Sequence, residues 1–177
     1  MSIPRIYWDS CVWIGLINGE SDKFPGCQYS LELAQKGEIY ILSSHFTLVE
    51  VYKTRCNEPY KMLAEEKDII FEEYFMNSFI LQAQVDRKIA TLSRELLRYN
   101  NPPLKKAADA IHLATAIQYN AESLYTFDNA DLMPLNNKLR NANGGLLQIC
   151  TPPPPPANWK YNSSLIDQIV ASNAESV

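Results

Sequence analysis

Short apolar runs alternate with longer stretches of helical period along the chain. Residues 3–8 read as a strand that ends at Asp9. Cys11 to Asn18 follows as a helix with Gly19 as its stop signal. A second helix over 24–36 carries apolar residues at 27, 31, 33 and 34 and is closed by Gly37. The run Ile39-Tyr40-Ile41-Leu42 predicts a short buried strand. Ser43 or Ser44 is placed to cap a helix running to about Cys56, and Pro59 to open another through about Met76. Phe79-Ile80-Leu81 is a further strand. Val85, Ile89, Leu92 and Leu96 then recur at the spacing of an amphipathic helix over 85–98. After the break at 100–103 come a helix rich in small residues over 104–119 and strands at 123–127 and 146–150. Strands separated by helices pair in parallel and give an α/β sandwich. The proline run 152–156 cannot continue a sheet, so the domain is expected to end near 150. Residues 151–177 then form a tail, with a short helix around 165–171.

The 177 residues are enough for one domain with a real core. Sixteen basic and 20 acidic residues give a net charge of −4, which excludes a nucleic-acid binder that works by bulk positive charge. No apolar run approaches the ~18 residues of a membrane span. Asp9 interrupts any candidate signal sequence, so a reducing, cytoplasmic location with free thiols is expected. The cysteines at 11, 27, 56 and 150 form no close pair, and there are two histidines, His45 and His112, so a structural zinc site is not expected. Charge is uneven. Residues 58–73 carry a net −4 and residues 87–106 a net +5. Arg87, Arg94 and Arg98 share one face of their helix, either as a solvated surface or as a rim that contacts phosphates.

Four carboxylates stand where surface solvation explains them poorly. Asp9 and Asp128 each follow an apolar strand, and ligands of open α/β sheets bind beyond the strand carboxyl ends where connections diverge. Glu50 lies in the apolar turn Phe46-Thr47-Leu48-Val49-Glu50-Val51-Tyr52, and Asp109 lies among the small and apolar residues of 107–116. An acid in such surroundings is costly unless it is paired or holds a cation. No lysine or arginine is close enough in sequence to neutralise all four. Carboxylates that converge raise one another's pKa, and a divalent ion resolves the conflict. Oxygen-only ligation selects Mg²⁺ or Mn²⁺, and such a site at a crevice points to phosphodiester hydrolysis.

Asp9-Ser10 after a strand, Glu50 after Ser43-Ser44, Asp-Ala-Ile-His-Leu-Ala-Thr-Ala at 109–116 and Thr126-Phe127-Asp128-Asn129-Ala130-Asp131 resemble the PIN-domain nucleases, most closely the VapC-type toxins of toxin–antitoxin pairs. The resemblance covers about residues 3–150. It implies a three-layer α/β/α sandwich on a five-stranded, mainly parallel sheet, and places Asp9, Glu50, Asp109 and Asp128 around one or two Mg²⁺ or Mn²⁺ ions. It also implies RNA as the substrate, homodimers, and a protein antitoxin docked on helices within 44–76. The proline run and the tail depart from the compact family pattern.

Each residue also has a plainer role. Asp9 and Asp128 could cap the helices that follow them, and Asp131 could bound a turn or support the acids. Ser10 and Thr126 could hold a carboxylate or cap backbone. His112 is one turn from Asp109, but a bound metal generates a nucleophile without a histidine, so a base role is the weaker reading. Lys53 and Arg55 are placed to meet phosphates or simply to be solvated. Met62, Ile69, Phe71 and Phe75 are expected in the core or a partner groove, Trp8 and Trp13 in the core, and Trp159 as an anchor for the tail. A haloacid-dehalogenase-like phosphatase would need an acid where Cys11 stands. The rival from a different class is a PIN fold that binds RNA or protein without turnover.

Overall fold

Parallel strands covered on both faces read as unbroken apolar runs, and the runs of this sequence are the strands of the sheet. The computed structural model describes residues 2–54 and 61–161. Strands β1 (Arg5–Trp8), β2 (Tyr40–Ser44), β3 (Ile80–Ala83), β4 (Ser123–Tyr125) and β5 (Gln148–Cys150) form one sheet in the order β3-β2-β1-β4-β5. Every pairing is parallel. The chain builds outward from β1 to β3, then returns to place β4 and β5 on the other side. The order therefore reverses between β1 and β4, where such sheets open a crevice.

Among the described residues six α-helices cover the sheet: α1 (Ser10–Asn18), α2 (Phe24–Gln35), α3 (Phe46–Glu50), α4 (Glu65–Phe75), α5 (Arg87–Tyr99) and α6 (Ala107–Gln118). Alternation along the strands divides the core in two. Ile6, Trp8 and Ile41 pack with Trp13, Leu31, Phe71 and Phe75 from α1, α2 and α4. Tyr7 and Leu42 pack with Ile89, Leu96 and Leu113 from α5 and α6. The expected three-layer α/β/α sandwich is present. The glycines read as stops end their helices in the left-handed conformation, Gly19 at φ 63° and Gly37 at φ 73°. Asp86 caps α5 through Oδ1, which accepts from the Ile89 amide at 2.9 Å.

The structure corrects several boundaries. Ser43 and Ser44 belong to β2 and cap nothing; the next helix begins at Phe46 and stops at Glu50. The Ser43 hydroxyl is engaged by Trp13 Nε1, the Trp8 carbonyl and Thr47 Oγ1, which ties β1, β2, α1 and α3 together. Lys53 bridges antiparallel to Met62, so the chain turns back on itself where one long helix and the start of another were expected. Pro59 and Arg55 lie outside the described residues, and α4 starts at Glu65. Phe71 and Phe75 are core residues, whereas Met62 and Ile69 are 65% and 45% exposed. α6 starts at Ala107 because Lys106 is still extended. Cys11, Cys27 and Cys150 are not in disulfides. No helix among the described residues is long and apolar enough to cross a membrane.

Beyond β5 the chain turns onto α2. Pro152 is buried, and the Pro152 and Pro153 carbonyl oxygens lie 3.1 Å from where a Cβ on Gly26 would stand. Trp159 donates Nε1–H to Glu32 at 3.0 Å and meets Tyr29 edge-on, while Tyr161 meets Phe24. Residues 151–161 therefore form a strap over α2. The expected helix at 165–171 lies outside the described residues. Glycine inside a helix normally costs about 1 kcal/mol relative to alanine, so a larger residue at position 26 would stabilise an uncovered α2. Under the strap the sign should reverse. Gly26→Val should lift the strap and raise the fraction of tryptophan fluorescence that acrylamide quenches, since Trp8 and Trp13 are fully buried. Quenching equal to wild type would mean that the strap does not rest on Gly26.

Candidate metal centre

The crevice at the reversal point has a volume of about 450 Å³, and Asp9, Glu50, Asp109 and Asp128 all line it. Asp9 follows β1 directly, and its amide donates to the Tyr125 carbonyl at 3.1 Å, which fixes it beside the end of β4. It occupies the N-cap position of α1, yet its side chain caps nothing. The carboxylate instead accepts from Ser10 Oγ at 3.1 Å, Cys11 Sγ at 3.0 Å and Thr126 Oγ1 at 2.8 Å. Burial opposes its charge. His112 nearby and the three donors outweigh that, and its pKa lies below the usual value.

On the β4 side, Thr126 also accepts from the Asp128 amide at 2.9 Å. Asp128 does cap the turn that follows, with Oδ1 accepting from the amides of Ala130 and Asp131 at 2.9 and 2.8 Å. Its Oδ2 remains directed at Lys106 Nζ, 3.3 Å away. The capping reading of Asp128 is thus realised by one oxygen, while the other faces Lys106 at the crevice.

Glu50 ends the single turn of α3 and reaches His112 Nε2 at 2.5 Å. His112 is 1% exposed, 3.3 Å from Asp9 Oδ1, with Nδ1 against the Tyr7 hydroxyl at 2.7 Å. Burial disfavours a proton on this ring, but Tyr7, Asp9 and Glu50 more than reverse that, and the pKa stands well above the ordinary value. Sequence reading gave His112 the weaker role; in the fold it bridges two of the four acids. The signal was its position one turn after Asp109 on a buried face.

Asp109 sits in the first turn of α6, 8% exposed, and its Oδ2 has no hydrogen-bond partner. Lys106 Nζ stands 3.6 Å away and also contacts Asp131 Oδ2 at 2.8 Å. Lys106 thus offsets part of the cluster, which sequence distance did not disclose because Asp128 and Asp131 come from another segment. Ligand atoms fall into two groups within 4.8 Å of one another: Asp9, Glu50 and His112, and Asp109, Asp128 and Asp131. The lysines at the crevice are Lys23, Lys53 and Lys106. Arg94 and Arg98 do not line it. The N-terminus of α5 follows the carboxyl end of β3, and Arg98 lies about 16 Å further along the helix, at 1.5 Å per residue from Arg87.

Residues 6–132 match the PIN domain family. The chain belongs to that family. Its fold is similar to that of the Mycobacterium tuberculosis VapC20 toxin, described as cleaving the sarcin-ricin loop, with a TM-score of 0.55, 16% identity, and coverage of 71% of this chain and 91% of that one. It is also similar to VapBC2 from Rickettsia felis bound to a promoter DNA fragment, with a TM-score of 0.53, 19% identity, and coverage of 82% and 98%. No curated protein matches the chain.

The residues of this PIN domain fit a hard divalent ion. A buried carboxylate oxygen without a hydrogen bond is the most direct sign, because such a group is expensive to leave alone. Burial pushes the Asp109 carboxyl up to about 6; Lys106 lowers it, and Asp128, Asp9 and Asp131 raise it again. A carboxyl whose folded pKa exceeds its unfolded value of 3.8 costs nothing below that pH; the penalty grows as the pH rises above 3.8 and is complete above about 6. Asp109→Asn should therefore raise the melting temperature of the metal-free protein at pH 8, by at least ~2 °C. The gain should vanish towards pH 4. A variant that melts below wild type at pH 8 would show that Asp109 is already compensated.

Proposed function

We propose that this PIN domain is a divalent-metal-dependent endoribonuclease, acting as the toxin of a toxin–antitoxin pair. The observation that carries the reading is Asp109 Oδ2, buried and without a hydrogen bond, on the same crevice as Asp9. Asp9, Glu50, Asp109 and Asp128 hold the ion, which is Mg²⁺ or Mn²⁺, while Ser10, Thr126 and Asp131 support them. When bound, the ion lowers the pKa of a water and offsets charge on the scissile phosphate. The protein's own work is to keep the carboxylates oriented before substrate arrives. Ser10, Cys11 and Thr126 fix Asp9, His112 fixes Glu50, and backbone amides fix Asp128. Lys23 and Lys53 stand at the crevice where flanking phosphates would lie. RNA capture by a chain of net charge −4 then depends on local cations and the ion rather than on bulk charge.

An antitoxin and a second copy of the chain are the partners in this reading. Leu48, Val49 and Tyr52 beside Glu50, and Met62 across the bridge from Lys53, are exposed apolar side chains within the 44–76 segment where an antitoxin would dock. VapC20 is described as a toxin that cleaves the sarcin-ricin loop, and VapBC2 as bound to a DNA fragment from its promoter; both support the same direction.

The test is cleavage of RNA by the purified protein with Mg²⁺ or Mn²⁺. Activity should stop with EDTA, and Asp9→Asn should lower the rate by ~100-fold or more with the fold intact. RNA binding with no metal-dependent turnover would favour the scaffold alternative, and cleavage by Asp9→Asn at the wild-type rate would overturn the site.

A further inference from the structure

Lys106 is extended at the position before α6, and this lets its side chain turn back over the first turn of the helix. Its ammonium contacts one oxygen from each of three acids, Asp131 at 2.8 Å, Asp128 at 3.3 Å and Asp109 at 3.6 Å. These same three acids form the second of the two groups whose ligand atoms could close on an ion. An ammonium presents three donors and one positive charge, so three carboxylate oxygens around one nitrogen form a filled cation position. Asp131 is held most closely. Its other oxygen lies 3.5 Å from the exposed Lys105 ammonium. Asp109 is the member left without a hydrogen bond, and with Asp128 it lines the crevice beside Asp9 and Glu50.

Two-metal hydrolytic sites place their ions about 3.5–4 Å apart. A second dication on the oxygens of Asp109, Asp128 and Asp131 would have to sit within contact of the ammonium, like charge against like charge. We propose that Lys106 takes the place of a second cation among Asp109, Asp128 and Asp131, so that the crevice admits one divalent ion, on the side of Asp9. This rests on the metal-dependent reading above and adds to it the number of ions and the residue that sets it. Sequence distance hides the role, because Lys106 is merely the last charge of a basic run until Asp128 and Asp131 fold against it.

The experiment counts Mn²⁺ bound to the full chain at pH 8, by calorimetry and by the loss of the free-ion electron paramagnetic resonance signal. Wild type and Lys106→Arg should bind one ion. Lys106→Gln should bind two, with the spectral broadening of a spin-coupled pair. Two ions on wild type, one ion on Lys106→Gln, or a second ion without coupling would overturn the proposal and leave the metal-dependent reading standing. No Mn²⁺ on wild type would overturn both. Should the glutamine variant prove unstable, Lys106→Ala carries the same two-ion expectation, and one ion on it would overturn the proposal.

Discussion

The cost of bringing five carboxylates together, with Asp9 and Asp109 in buried positions among them, constrains this end of the molecule. Asp9, Glu50, Asp109, Asp128 and Asp131 come from four separate segments, and the parallel sheet delivers them to one place because its strand order reverses between β1 and β4. Each acid is bearable only with a compensating partner. Asp9 has three side-chain donors, Glu50 has His112, Asp128 has two backbone amides and Asp131 has Lys106. Asp109 is the one left short, and its carboxyl rises to about 6, with burial the largest cause. The rest of the local structure can be read as support for this arrangement.

That support reaches deep into the core. The Tyr7 hydroxyl holds the ring that holds Glu50, and Tyr7 is itself fully buried between the sheet and α6. Trp13 and Ser43 tie α1 to β2 directly behind Asp9 and α3. Packing and site are therefore not separable here. A cavity made near Tyr7 or Trp13 would loosen carboxylates that preorganisation must hold within a fraction of an ångström. The strap of 151–161 lies over α2 and is held by Trp159, Tyr161 and the flat face at Gly26.

Much of this was legible in the chain. Apolar runs gave the five strands, and the amphipathic period gave α5 nearly to the residue. Acids after β1 and β4, and acids in apolar helices, mark the crevice in the sequence itself, since burying a charge needs a reason. What failed to show was long-range. Whether the stretch after Glu50 stays helical is decided by the Lys53–Met62 bridge, a tertiary contact that overrides propensity. Ser43 and Ser44 look like caps locally but are claimed by β2. His112 and Lys106 acquire their roles from partners up to 105 and 25 positions away. Arg94 and Arg98 lie on α5, none of whose residues lines the crevice.

Shared possession of one ion by Asp9 and Asp109 is the central claim, and a double-mutant cycle on Mn²⁺ affinity tests it most directly. Calorimetry on wild type, Asp9→Asn, Asp109→Asn and the double variant should show each single change weakening the same binding event by ~10-fold or more, with the two effects non-additive. Wild-type affinity in either single variant, or effects that simply add as for independent sites, would contradict the account.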